Sequence, residues 1–204
     1  MDNYKYEKEL YKKGIKYIAG VDEVGRGPLI GAVVAAAVIL PNDFYLEGLT
    51  DSKKLSEKKR EAFYKVIMNK ALAVGIGIVS EKRIDEINIY EATKEAMIMA
   101  INNLSIKPEH VLIDAMKLDI DIDTTSIIKG DLLSVSISAA SVVAKVTRDH
   151  MLIEMDREYP VYDLKNNKGY GTKKHIEAIK KYGICKYHRR SYKPVSDYVD
   201  KIYE

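Results

Sequence analysis

Two hydrophobic periods alternate along this chain. Tyr17-Ile18-Ala19-Gly20-Val21 is an apolar stretch that stops at Asp22-Glu23-Val24-Gly25-Arg26-Gly27, and Val33 to Leu40 is a near-continuous apolar run closed by Pro41-Asn42-Asp43. Runs of this kind, bounded by turn residues, predict two paired and buried strands. Leu72 to Val79 predicts a third, and Val111-Leu112-Ile113 a short fourth ending in Asp114, as the first ends in Asp22. Between them the period lengthens. Ser56 is placed to cap a helix with Glu57 in its first turn and Ala62, Phe63, Val66 and Ile67 as its inner stripe. Asn88 with Glu91 resembles a capping box opening a helix whose inner face is Met97, Ile101 and Leu104, and Pro108 ends that unit. Small and apolar residues from about Ser134 to Tyr159 predict a long helix halted by Pro160. Strands followed by helices give an α/β layered fold with a mixed sheet.

Composition narrows the class of protein. The 204 residues suffice for one sizeable domain, and 47% of them are hydrophobic. A formal net charge of +3 is too small to mark a nucleic-acid binder, so the distribution of charge matters more. One cysteine, Cys185, excludes an intrachain disulfide and a multi-thiolate zinc site and fits a reducing compartment. The charged N-terminus lacks the apolar core of a signal peptide, and Leu29 to Leu40, the longest apolar run, is far short of the roughly 20 residues that span a bilayer. The expectation is a cytoplasmic protein without a membrane partner.

The chemistry concentrates at the end of the first strand. Adjacent carboxylates at the end of a buried strand are costly to keep ionised without a cation, and Gly25-Arg26-Gly27 follows at once. In an unbroken pleat Asp22 and Glu23 point to opposite faces, so the glycines are expected to bend the chain and let both converge. That suggests a metal beside a phosphate. Between residues 165 and 193 lie Lys165, Lys168, Lys173, Lys174, Lys180, Lys181, Lys186, Arg189, Arg190 and Lys193, with Glu177 the one interspersed acid and tyrosines 170, 182, 187 and 192 among them. This pattern fits a nucleic-acid surface and a solvated helix face equally well. His150, His175 and His188 show no metal-ligand spacing and read as structural or solvent-facing, with His188 placed to support the adjoining arginines.

The segment Asp22 to Gly27, the loop Asp51-Ser52-Lys53-Lys54-Leu55-Ser56, Val111 to Asp114, Lys129-Gly130-Asp131, Ser138 to Asp149, Lys168-Gly169-Tyr170-Gly171-Thr172 and His188-Arg189-Arg190-Ser191-Tyr192 resemble, in order, the motifs of bacterial ribonuclease HII. The resemblance implies a ribonuclease H-like mixed β-sheet flanked by helices in a single domain over 1–204. Its catalytic core would span about 15–157, and a basic, tyrosine-rich helical segment about 158–204. It implies an endonuclease that hydrolyses RNA in RNA/DNA hybrids and nicks 5′ of ribonucleotides embedded in duplex DNA, leaving 5′-phosphate and 3′-hydroxyl ends. Asp22, Glu23, Asp114 and Asp131 would be the catalytic carboxylates, holding two divalent cations, Mg²⁺ or Mn²⁺, as oxygen-only donors favour.

Gly25, Arg26 and Gly27 would sense the 2′-hydroxyl, and Tyr170 would stack on the adjoining deoxyribose. Lys53, Lys54, Lys145 and Arg148 would contact phosphate, with Ser141 and Thr172 as hydroxyl donors. Asp149 is expected in a structural ion pair or cap, and Asp119, Asp121 and Asp123 in a solvated acidic loop. The resemblance implies a monomer. The lack of a large N-terminal extension argues against ribonuclease HIII, and the lack of any glutamine argues against a glutamine-led sliding-clamp peptide. A catalytically silent hybrid-binding protein, a metallophosphatase for a small phosphoester and an exonuclease of similar fold are the rival readings.

Overall fold

The computed structural model describes residues 3–50 and 52–203; Asp51, read above as part of a substrate-contacting loop, lies outside them. In chain order the elements are α1 (Lys5–Lys12), β1 (Ile18–Val24), β2 (Val33–Ile39), α2 (Glu57–Lys70), β3 (Ala73–Val79), α3 (Glu81–Asn102), β4 (His110–Asp114), β5 (Asp123–Ile127), α4 (Gly130–Leu133), α5 (Val135–Glu158), α6 (Leu164–Asn167) and α7 (Lys173–Tyr182). The strands form one mixed sheet in the order β3-β2-β1-β4-β5. β1 pairs antiparallel with β2 and β2 with β3, whereas β1, β4 and β5 run parallel.

Alternation along the central strands sends side chains into two cores. Ala19, Val21, Val33, Ala35 and Ala37 pack with Ala92, Ala96, Met97 and Ala100 of α3 on one face. Val34, Ala36 and Val38 pack on the other with Phe63 and Ile67 of α2 and Ala139, Ala140 and Val143 of α5. Gly20 lets α5 cross directly over β1, because a Cβ there would stand 2.1 Å from the carbonyl carbon of Ser136. A third cluster joins Leu29, Ile30 and Leu152 to Tyr162, Ile179, Ile184 and Val195, so the basic segment packs a core of its own against the β1–β2 connection and α5. No helix among the described residues is long and apolar enough to cross a membrane.

Several sequence expectations shift. Ser56 and Ser134 cap α2 and α5 through their side chains. The inner stripe of α2 comprises Arg60, Phe63 and Ile67, while Ala62 is exposed. Asn88 does cap, its Oδ1 accepting from the N–H groups of Tyr90 and Glu91, but within a helix that already begins at Glu81 and kinks at Asn88. Asp123 opens β5, an exposed edge strand, where its acidic, polar surroundings in sequence predict a loop. α1 was likewise unforeseen. Its Glu7 is buried and accepts from the Ser134 hydroxyl at 2.5 Å and the Ser136 N–H at 3.0 Å, which fixes α1 to the start of α5.

Candidate active site

The parallel pairing of β1 with β4 creates the site. Val21 is paired with Ile113, so the next step along each strand places Asp22 beside Asp114 at the carboxyl ends of neighbouring strands. β1 continues without a break through both of its carboxylates to Val24, and Gly25, at φ +95°, turns the chain only after them. The expected bend is therefore not what brings the acids together; the common strand end is. Asp22 lies on the α5 face and Glu23 on the other, and Asp114 acts electrostatically on both.

Negative charge is crowded in this cluster. Asp22 is 6% exposed. Burial first, then Glu23 and Asp114, push its carboxyl well above the usual range, against hydrogen bonds from the Ser141 hydroxyl and the Glu23 N–H, the latter at 2.7 Å. Glu23 is also raised, chiefly by burial, with Arg26 pulling it down and Asp114 pushing it up. Arg26 lies 3.5 Å from Glu23 Oε1 with its side chain 45% exposed, and Glu23 Oε2 is buried without a hydrogen-bond partner. A divalent cation fits this donor set, being hard, oxygen-seeking and able to relieve the repulsion that raises the Asp22 and Glu23 carboxyls. Among the described residues no three or more His, Cys, Asp or Glu side chains are already gathered into a cage for an ion.

Asp131 is tethered to the site at one remove. Its neighbour Gly130 donates its N–H to Asp114 Oδ1 at 2.7 Å, and the Ser138 hydroxyl donates to the Asp131 carbonyl at 2.9 Å. Lys129, at φ 59°, makes the left-handed step that starts α4 and sets Asp131 in its first turn.

The proposed substrate contacts divide into two groups. Ser141, 2.9 Å from Ser52, extends the Asp22 network into the turn that holds the exposed Lys53 and Lys54. Gly27 adjoins Tyr170, whose Cε1 would lie 3.3 Å from a Cβ at that glycine, and Tyr170 is 50% exposed. Thr172 uses its hydroxyl oxygen as the cap of α7, accepting from the His175 N–H. Lys145 is mostly buried and bonds Asp149 at 2.7 Å, while Arg60 lies 3.8 Å from the same carboxylate; the structural ion pair expected at Asp149 is present, with these partners.

Arg148 departs from the expectation of a phosphate contact. It is 2% exposed, and its guanidinium donates to the carbonyls of Ala32, Lys168 and Ile30 at 3.0 to 3.1 Å. Arg189, read as part of a basic surface, is wholly buried and donates to the carbonyls of Gly31 at 2.9 Å, Arg26 at 3.0 Å and Gly25 at 2.5 Å. Burial lowers both guanidinium pKa values, that of Arg148 to about 10. These arginines bind the Gly25–Ala32 backbone to α5 and the C-terminal segment. Gly25 is required here, since a Cβ would fall 2.3 Å from Arg148 Nε.

The lysines of the tail are partly neutralised by acids from outside its basic stretch. Lys174 meets Asp163 at 2.9 Å, Lys186 meets Glu158 at 2.6 Å, and Lys193 pairs with Asp197.

Comparison with known structures defines the class. The fold matches the crystal structure of ribonuclease H2 from Pyrococcus horikoshii OT3 with a TM-score of 0.77 and 27% identity, covering 90% of this chain and 97% of that one. It matches ribonuclease HII in its complex with PCNA from Archaeoglobus fulgidus with a TM-score of 0.72 and 26% identity, covering 87% and 95% respectively. The fold is that of a ribonuclease H-like enzyme.

The family profile of Ribonuclease HII matches residues 19–195. A Ribonuclease HII of Bacillus thuringiensis (strain Al Hakam) is 61% identical over 197 residues, which are 97% of this chain and 77% of that relative. This chain belongs to the ribonuclease HII family. It is accordingly a metal-dependent ribonuclease H endonuclease, and the silent hybrid-binding and small-ester readings give way.

Proposed function

We propose that this enzyme cuts the RNA strand of RNA/DNA hybrids and nicks duplex DNA 5′ of single embedded ribonucleotides, leaving 3′-hydroxyl and 5′-phosphate ends. The observation that carries the reading is the group of three carboxylates at the joined ends of β1 and β4, two of them held above their ordinary pKa by burial and by one another.

Asp22, Glu23, Asp114 and Asp131 are the residues that would hold two divalent cations, Mg²⁺ or Mn²⁺. When bound, the cations supply the Lewis acidity that activates water and stabilises the departing 3′ oxygen in an in-line displacement. Ser141 orients Asp22, and Gly130 orients Asp114. The Gly25-Arg26-Gly27 loop is clamped from beneath by Arg189. A clamped loop can test for a 2′-hydroxyl without first being ordered by the substrate, which is where selection against an all-deoxy strand would arise. Tyr170, exposed beside Gly27, would stack on the sugar of the adjoining deoxynucleotide. Lys53 and Lys54 supply positive charge near the backbone.

A covalently closed duplex circle with one ribonucleotide tests the reading. An endonuclease of this type converts it to an open circle with a 3′-hydroxyl immediately 5′ of the ribonucleotide, and an all-deoxy circle stays closed. Cleavage only after linearisation would replace the proposal with the exonuclease.

A further inference from the structure

A directed chain of hydrogen bonds lies beneath the Tyr170 loop. The Cys185 N–H donates to His188 Nδ1 at 3.0 Å, His188 Nε2 lies 3.1 Å from His175 Nε2, and His175 Nδ1 lies 3.0 Å from the Tyr170 carbonyl oxygen. The two ends fix every proton between them. An amide N–H can only donate, so His188 Nδ1 is bare and its proton sits on Nε2. A carbonyl can only accept, so His175 carries its proton on Nδ1 and presents a bare Nε2. His188 therefore donates to His175, and both rings are neutral. A proton added to His175 would oppose two N–H groups across the ring contact, and one added to His188 would oppose the Cys185 amide.

The surroundings preserve this arrangement. Both rings are buried. The ring of Tyr162 meets His188 edge-on at 4.7 Å and His175 at 5.7 Å, with its hydroxyl given to the Gly183 carbonyl. The Cys185 thiol lies 3.3 Å from His188 Nδ1, and Arg189, next in the chain, turns its guanidinium to the Gly25–Gly31 backbone. Burial lowers both histidine pKa values, that of His188 to about 3. An apolar pair would fill the same space but would not orient a peptide group. The loop is held from its other side by the Leu29 N–H, which donates to the Gly169 carbonyl at 2.8 Å.

We infer that His175 and His188 are positioning residues, which fix the Tyr170 peptide so that its ring stands beside Gly27 and thereby sharpen selection of the ribose-to-deoxyribose step. The inference rests on the reading of Tyr170 as a sugar contact.

Two measurements test it. Ring ¹⁵N NMR of the wild-type protein should show His175 as the Nδ1–H tautomer and His188 as the Nε2–H tautomer, neither titrating in the range of an unperturbed imidazole. The same tautomer in both rings, or an ordinary titration of either, would overturn the relay, whether or not any variant folds. In cleavage of a duplex with one ribonucleotide, His188→Met, which lacks the donor, should raise KM about five- to tenfold at little-changed kcat, and His188→Gln, which keeps a donor at the Nε2 position, should stay within about twofold.

The Met effect should vanish in a Tyr170→Ala background, because the two changes act through one contact. Equal Met and Gln effects, or an undiminished Met effect in that background, would refute positioning through Tyr170. If Tyr170→Ala alone leaves KM unchanged, the sugar-contact reading is the one that fails, and the inferred selectivity role falls with it even where the NMR confirms the tautomers.

Discussion

Replacing Arg189 by methionine removes the clamp under the Gly25-Arg26-Gly27 loop. The guanidinium makes three charge-assisted bonds to backbone carbonyls, at 2.9, 3.0 and 2.5 Å, and a fourth contact to the Tyr192 hydroxyl at 3.2 Å. Hydrogen bonds to a charged group contribute about 1.5–3 kcal/mol each, so the three carbonyl bonds represent roughly 4.5–9 kcal/mol before the desolvation of the buried cation is set against them. That penalty is several kcal/mol, and methionine escapes it, which brings the expected net loss to about 3–5 kcal/mol. For a domain of this size the corresponding drop in Tm is roughly 6–20 °C. Urea unfolding, compared at unchanged slope, measures the loss directly. Arg190→Met is the control: Arg190 is exposed and its Asp85 contact is made by the backbone, so its cost should stay within about 0.5 kcal/mol. A loss below about 1 kcal/mol for Arg189→Met would refute the claim that this residue holds the loop.

Other outcomes follow from the same geometry. Asp22→Asn should stabilise the metal-free protein by about 0.5–2 kcal/mol in thermal unfolding, since it removes a buried like charge while keeping an acceptor for the Glu23 N–H. The folded pKa values of Asp22 and Glu23 are raised, so the folded state binds more protons between the ordinary and the raised values, and metal-free stability should fall as pH rises through that window. Unfolding midpoints across pH measure this slope, which should flatten in Asp22→Asn. Calorimetric affinity for Mn²⁺ should increase with pH over the same range, as protons leave the ligands. Gly20→Ala should cost about 2–3 kcal/mol by wedging α5 away from β1, and denaturant unfolding would register it.

What the sequence disclosed follows from what local pattern encodes. The apolar runs ending in Asp22 and Asp114, and the long small-residue helix after Ser134, were legible because burial on one or both faces writes itself into the period. β5 was not, because Asp123-Thr124-Thr125-Ser126 lies at an exposed edge where no face must be apolar. Arg148 and Arg189 looked like surface cations because nothing in sequence tells whether a guanidinium meets water or carbonyls 20 to 164 positions away. The lysine-rich tail looked unbalanced because several of its acids, Asp163, Glu158 and Asp197, flank the basic stretch. His175 and His188 meet ring to ring with Tyr170 and Cys185 at the ends, an arrangement that carries no recognisable ligand spacing.

The central claim is that the carboxylates on β1 and β4 drive cleavage at a ribonucleotide through divalent cations. The most direct test is a titration of Mg²⁺ and Mn²⁺, with a chelator control, in cleavage of a linear duplex carrying one internal ribonucleotide by the wild-type protein and by Asp22→Asn, both shown to be folded. The account predicts a single cut 5′ of the ribonucleotide that appears with either cation, disappears with chelator and is absent from the variant. Cleavage that persists in chelator, or that the folded Asp22→Asn protein performs at the wild-type rate, would contradict it.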